Sequence, residues 1–320
     1  MDKRIATPGP ITVFGGATMD HIAATRDAPV MGASNPGLAR TTPGGVAFNI
    51  AGILARLGHP VRLVTRIGSD PGGAAISAAA EDAGVDTGFV SVSPDAATAT
   101  YLAALDEAGG LIIGIAGMTI FDEMTPAVVA AAAGSAPAND FWVVDANLPP
   151  ETLDFLVGQA RAAGHPIAAL AVSPAKCLRF APLLHDITLL FVNRKEAKAM
   201  LHIDHNLNPT ATELVKALCG SARPDVVVTD SEKPLAVASG GDIRSFVPLR
   251  AAIRSVNGAG DALAAGTIHG LSCGRPLFES IRPGLAAAAI TMEHDGTIPP
   301  GLNAAALAAR IGGGTETETA

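Results

Sequence analysis

The chain reads as an α/β protein built on a mainly parallel sheet, with helices on both faces and a small β lid. Three observations predict this. Strand-like apolar runs alternate with alanine-rich helical stretches through most of the sequence. The runs are continuously apolar, as strands covered on both faces must be. Two stretches, about 17–43 and 96–115, break the alternation and carry β-prone residues instead.

Taken in order, ITVFGG (11–16), VRLVTRIG (61–68), FWVVDAN (141–147), PIAALAVS (166–173), ITLLFVN (187–193) and DVVVTD (225–230) read as buried strands. Residues 46–57, 71–83, 150–163 and 209–219 have helical spacing between them. In the first of these, Val46, Ile50, Ile53, Leu54 and Leu57 form one apolar stripe. Residues 17–43 contain Pro29, Gly32, Pro36, Gly37 and Pro43 and show little periodicity. Residues 96–115 read as a hairpin turning at Glu107-Ala108-Gly109-Gly110. Strands inserted at these two places predict a lid over the carboxyl edge of the sheet. One domain over 1–311 is expected, followed by a disordered tail, GGGTETETA (312–320).

Composition narrows the function. The 320 residues are 48% hydrophobic and 16% charged, with a formal net charge of −8. A globular protein is expected, and the charge argues against nucleic acid or an anionic membrane as a general partner. A small anionic ligand needs only local positive potential. Cys177, Cys219 and Cys273 are far apart and form no CxxC pair, so neither a disulfide framework nor a zinc site is expected. Nothing approaches the roughly 18 apolar residues of a membrane span. The start, MDKRIATPGPITVF, has no apolar signal core, so a cytoplasmic location is expected.

Open parallel sheets bind ligands beyond the carboxyl ends of their strands, and three motifs fall at such places. In SVNGAGDALAAGTIHGL (255–271), Gly258, Ala259 and Gly260 predict a tight turn into a helix over 261–271. Bare N–H groups and the helix dipole make an anion pocket there, and Asp261 in the first turn can orient a hydroxyl and accept its proton. The plainer reading is a glycine turn with a helix-start charge. In TTPGGVAFNIAGILARLG (41–58), Gly44 and Gly45 let a ligand approach the backbone, and Asn49 offers a donor and an acceptor for vicinal hydroxyls. An ordinary glycine loop is the alternative. In FVNRKEAKAM (191–200), Asn193 and Glu196 could hold the water shell of Mg2+, or could simply form a capping box.

The order Gly-Gly…Asn early, Asn-x-x-Glu in the middle and Gly-Ala-Gly-Asp late resembles the PfkB/ribokinase family of sugar and nucleoside kinases. The resemblance runs from Ile11 to about Leu307. It implies a ribokinase-like fold whose lid often dimerises, hence a homodimer through the lid. It implies ATP and Mg2+ as cofactors, with Asp261 as the base and Gly258, Ala259 and Gly260 as the anion hole. Asn193 and Glu196 match the metal and phosphate element. Thr229, Ser231 and Asn257, with Gly258 and Gly260, fall at the nucleotide side. Asp20, in GGATMD, matches the carboxylate that grips sugar hydroxyls beside Gly44, Gly45 and Asn49; alone it would read as a turn residue. A monovalent cation such as K+ is common beside the family's anion hole, and residues 253–257 leave it open.

SNPG (34–37), TATYLAALDE (98–107), DANLPPE (145–151), AVSPAKC (171–177) and NRKEA (193–197) make the likeness strongest to the pseudouridine kinases. Those enzymes transfer the ATP γ-phosphate to the 5′ hydroxyl of the C-nucleoside. The likeness places the uracil near Asn35 and Tyr101 and leaves Lys176 either near substrate or as a solvated charge. Ribose or another nucleoside as acceptor is the alternative, and a catalytically impaired binding protein a further one. Two departures bear on this. Gly117 and Thr119 stand where the pattern favours aspartates, and Thr229-Asp230-Ser231-Glu232-Lys233-Pro234 replaces the glycine-containing nucleotide loop. An acidic Asp230 or Glu232 there would repel phosphates unless something intervenes. HIDH (202–205) reads as surface histidines rather than a metal site.

Overall fold

In the computed structural model, which describes residues 9–219 and 224–312, β1 (Ile11–Phe14) lies fully buried within the main sheet. The chain then enters the lid with β2 (Thr18–Thr25) and β3 (Gly37–Gly44). It returns to the main sheet through α1 (Val46–Arg56), β4 (Val61–Gly68), α2 (Pro71–Asp82) and β5 (Asp86–Ser93). A second excursion supplies β6 (Thr100–Leu105) and β7 (Leu111–Gly117). Then follow α3 (Pro126–Gly134), β8 (Phe141–Asp145), α4 (Pro150–Ala163), β9 (Ile167–Leu170) and β10 (Leu189–Asn193). After α5 (Arg194–Met200) and α6 (Ala211–Cys219) come β11 (Asp225–Asp230), β12 (Lys233–Ser239) and β13 (Asp242–Phe246). The described chain closes with α7 (Ala259–Ser272), α8 (Leu277–Met292) and α9 (Ala304–Gly312).

Among the described residues the main sheet has nine strands in the order β13-β12-β11-β10-β9-β8-β1-β4-β5. It is parallel from β5 to β11, and β12 and β13 are added antiparallel at one edge. The four lid strands form a separate sheet in the order β3-β2-β6-β7. Successive side chains of a strand face opposite ways, and β1 shows the consequence. Ile11 and Val13 join an apolar layer under α1, α7 and α8, while Phe14 joins the other layer under α3, α4 and α6. No helix among the described residues is long and apolar enough to cross a membrane.

Local chemistry explains the helix ends. Asp70 caps α2, accepting from Gly73 N at 2.9 Å, with Pro71 at the first helical position. Gly164 ends α4 in the left-handed region at φ 72°. The ends of α1 and α7 that lie away from the site are tied together by two imidazoles. His59 donates from Nδ1 to the Gly9 carbonyl at 3.0 Å, leaving its Nε2 to accept from His269 Nδ1 at 2.9 Å. Burial lowers the pKa of both rings, His269 to about 4, so the pair stays neutral.

Some expectations need correction. The late helix starts at Ala259, two residues before the predicted 261, because Gly258 alone makes the turn. Asp20 sits on lid strand β2, within the stretch expected to form the lid, so the plainer turn reading is the one set aside. Strands β5, β12 and β13 were not anticipated. Of the tail expected at 312–320, Gly312 instead ends α9, and 313–320 lie outside the described residues.

Candidate active site

The site is assembled at the carboxyl ends of the parallel strands. Gly258, at φ 75° and ψ 0°, turns the chain into α7, and no side chain caps that helix. The N–H groups of Ala259, Gly260 and Asp261 precede the first intrahelical acceptor and so have no partner within the helix. Ala259 N–H reaches Val256 O at 3.3 Å. A Cβ on Gly260 would meet no atom, so the space over its backbone is open. Asp261, in the first turn, accepts from Asn49 Nδ2 at 2.7 Å. Asn49 in turn accepts from the Thr297 hydroxyl at 2.6 Å. Asp261 keeps some contact with solvent as a residue, but protein atoms crowd its carboxyl. Burial pushes its pKa up to about 7, against the Asn49 hydrogen bond and with help from the charges of Asp145, Asp20 and Glu196. A carboxylate in this position can serve as a base near neutrality.

Asn49 reaches this corner because α1 starts at its mouth. Gly44 ends β3, Gly45 precedes the first residue of α1 at φ 96°, and Asn49 lies buried in the opening turn. The Asp20 carboxylate packs on Gly44 so closely that an added Cβ would overlap it. Its Oδ1 accepts from Thr18 Oγ1 at 2.7 Å, and burial raises its pKa. Lid register pairs Asp20 with Tyr101 on β6, which puts both side chains on one face of the lid. Asn35 is used differently: its amide accepts from Val30 N and donates to the carbonyls of Val30 and Ala33, closing its own loop.

A third cluster lies at the end of β8 and was not read from the sequence. Buried Asp145 accepts from Gly16 N and Asn147 N, each at 2.8 Å, and burial raises its pKa. Lys176 donates to Asn147 Oδ1 at 2.6 Å; burial lowers its pKa while the Asp145 charge holds it up. The solvated-charge reading of Lys176 is therefore overturned, because the ammonium is half-buried and bonded at the sheet edge. The available signal was the position of Asp145 and Asn147 just where a buried strand ends. Thr297 had no such signal.

On the other side, Asn193 and Glu196 do form a capping box. The Asn193 side chain accepts from the N–H groups of Lys195 and Glu196, and Glu196 Oε2 accepts from Asn193 N at 2.8 Å. Glu196 is buried, with its pKa raised by that burial, and its charge is felt at Asp261. Register pairs Asn193 with Thr229 across β10 and β11. Ser231 takes the left-handed conformation, φ 53°, in the turn between β11 and β12, so the hairpin closes without a glycine there. Repulsion from Asp230 is offset within the chain, since Arg194 lies 3.6 Å from its carboxylate. A cavity of about 400 Å³ adjoins this pair and is lined by Thr210, Lys233 and Ser245 among others. Exposed Asn257 precedes Gly258 and donates its N–H to Ser255 Oγ at 3.2 Å.

A lidded, mainly parallel sheet with a carboxylate at an uncapped helix start defines a ribokinase-like phosphotransferase acting on a hydroxyl. The chain belongs to the pfkB family of carbohydrate kinases, whose family model matches residues 10–305. It is similar to the pseudouridine kinase of Escherichia coli (strain K12), 28% identical over 302 residues covering 89% of this chain and 91% of the relative. Among solved structures it resembles a carbohydrate kinase from Agrobacterium tumefaciens, at 34% identity and a TM-score of 0.78, covering 95% of this chain and 97% of that one. Arabidopsis thaliana ribokinase complexed with ribose and ATP shares the fold at 20% identity and a TM-score of 0.79, covering 95% and 99%.

Proposed function

We propose that this chain transfers the γ-phosphate of ATP to the 5′ hydroxyl of a nucleoside, with pseudouridine as the acceptor. The observation that carries the transfer is Asp261 beside the uncapped start of α7, bonded to Asn49 at 2.7 Å. Likeness to pseudouridine kinases of two organisms, over about nine-tenths of the chain in each case, supports the acceptor. Asp20 and Asn49 hold the sugar hydroxyls, Tyr101 faces the base, and Asp261 accepts the 5′ proton. The N–H groups at Gly258–Asp261 receive the charge that builds on the transferring phosphoryl group, where fixed donors lower the barrier most. Thr229 and Ser231 lie on the nucleotide side. ATP as donor is supported by the ribokinase structures that bear it or ADP in their names.

The residues fit Mg2+. Asp261 feels the charges of Asp20, Asp145 and Glu196, and a divalent cation relieves such repulsion. Since Asn193 Oδ1 and Glu196 Oε2 are engaged in the capping box, this pair would hold the ion through its water shell. When bound, the ion neutralises phosphate charge.

The test is an ADP-release screen over pseudouridine, other nucleosides, ribose and hexoses, with Mg2+ and with or without K+. Pseudouridine should give the highest kcat/KM. A preference for ribose would overturn the acceptor, and no ADP release with any acceptor would overturn the transfer itself.

A homodimer through the lid belongs to the same proposal. Leu102, Ile113 and Ile115 are exposed, and register places Leu102 opposite Ile115, with Ile113 two residues away on the same face. Such a strip fits a second copy. Sedimentation should give twice the chain mass for the native protein and a monomer for an Ile113→Lys, Ile115→Lys variant; a native monomer would reject it.

A further inference from the structure

We infer that Thr297 is a positioning residue that anchors the far end of the Asn49 amide, and through it the hydrogen bond to Asp261, while its methyl group backs the turn at Gly258. The inference rests on Asp261 acting as the base in the proposed reading. Thr297 lies in the segment between α8 and α9, outside every motif singled out in the sequence.

An asparagine amide has two ends of nearly equal shape, and its partners decide which end faces where. Here the ionised Asp261 carboxylate, which can only accept, turns Nδ2 toward its Oδ2 at 2.7 Å, and the Thr297 hydroxyl donates to the other end, Asn49 Oδ1, at 2.6 Å. With the ends exchanged, an amide oxygen would face an ionised carboxylate and repel it. A threonine hydroxyl can donate in the first arrangement and accept in the second. It therefore keeps a partner for Asn49 both when Asp261 is ionised and when it has taken a proton. Valine can do neither. The methyl group has its own contact. A Cβ built on Gly258 would lie 2.9 Å from Thr297 Cγ2, so the side chain that steers the base also bounds the anion-binding turn. The other charged groups felt at the carboxyl are Asp145 at the end of β8, Asp20 on β2 and Glu196 on α5. None of them is the hydrogen-bond partner that Thr297 holds.

Thr297→Val keeps the shape and removes the hydroxyl. It should lower kcat by about tenfold, the usual reach of one hydrogen bond, and also raise the KM for the acceptor, since the same Asn49 amide holds the sugar hydroxyls in the proposed reading. The acid limb of the kcat/KM profile should move to higher pH, and Thr297→Ser should restore both. A second readout needs no turnover. The Asn49 side-chain amide signals in 15N-labelled protein should titrate with Asp261, and their midpoint should rise in Thr297→Val but not in Thr297→Ser. Should Thr297→Val fail to fold, Thr297→Ala against Thr297→Ser makes the same comparison. Profiles and midpoints that superimpose on those of the native chain, or equal damage from serine and valine, would overturn the inference. A native chain that transfers no phosphate would instead reject the kinase reading, while the amide titration still decides the role of Thr297.

Discussion

Asp261→Asn should lower kcat by about 10²–10⁴-fold, the span associated with loss of a positioned base, while ATP and acceptor still bind. The substitution is nearly isosteric, and the new amide oxygen can go on accepting from Asn49 Nδ2, so geometry is retained and basicity is lost. The native profile carries the matching sign. The carboxyl titrates near 7, so it is protonated and idle below that pH, and kcat/KM should rise through one ionisation as pH is raised past about 7. Stability should move the other way. A carboxyl whose folded pKa lies above its ordinary value stabilises the fold while protonated. That contribution is lost as pH climbs from about 4 through about 7, because the buried group must then carry charge. An asparagine never does. The variant should therefore melt at a higher temperature than the native chain in mildly alkaline buffer, which a thermal scan would read. Undiminished turnover would remove Asp261 from the role of base, and a dead variant with a lowered melting point would point to damage rather than lost chemistry.

How much of this was legible beforehand depended on how local the cause was. The buried strands were plain because each is a short apolar run with turn residues at its ends, as in DVVVTD, which became β11. β5 was missed because an edge strand is wetted: DTGFVSVS alternates only weakly, and Val92 is left exposed. β12 hid behind Pro234, which a strand tolerates near its start, and β13 is mostly exposed. Asn-x-x-Glu by itself favoured a capping box, with the metal element added by the family resemblance, and the structure forms the first without spending the second, since a metal held through water needs no bare carboxylate. In the 229–234 loop the loss of both glycines suggested a changed backbone, yet Ser231 adopts the left-handed turn regardless. The Thr297–Asn49–Asp261 chain joins residues 248 and 212 positions apart, and no sequence window can show such a contact.

Gly258→Ala should cost about 10²-fold in kcat, comparable to removing one donor from an oxyanion site, with little change in the amount of folded protein. Two effects act together. An alanine at φ 75° carries about 1–2 kcal/mol of left-handed strain. Its methyl would also press on Thr297 Cγ2 at 2.9 Å, with the Thr297 backbone close behind. The strain is relieved most easily by turning the 258–261 peptides, and those peptides carry the N–H groups proposed to face the phosphoryl oxygens. The body of α7 is held by its broad packing on α8 and α1, so the damage should stay at the helix mouth. Gly260→Ala is the control that separates shape from space. A Cβ there meets no protein atom and the residue is already helical, so the variant should fold and melt like the native chain. Whatever activity it loses must come from crowding the ligand, seen as a raised KM for ATP or acceptor rather than as a lower kcat alone. If both alanine variants turn over at the native rate, the start of α7 holds no phosphate, and the N–H groups of residues 260 and 261 are only the open end of a helix.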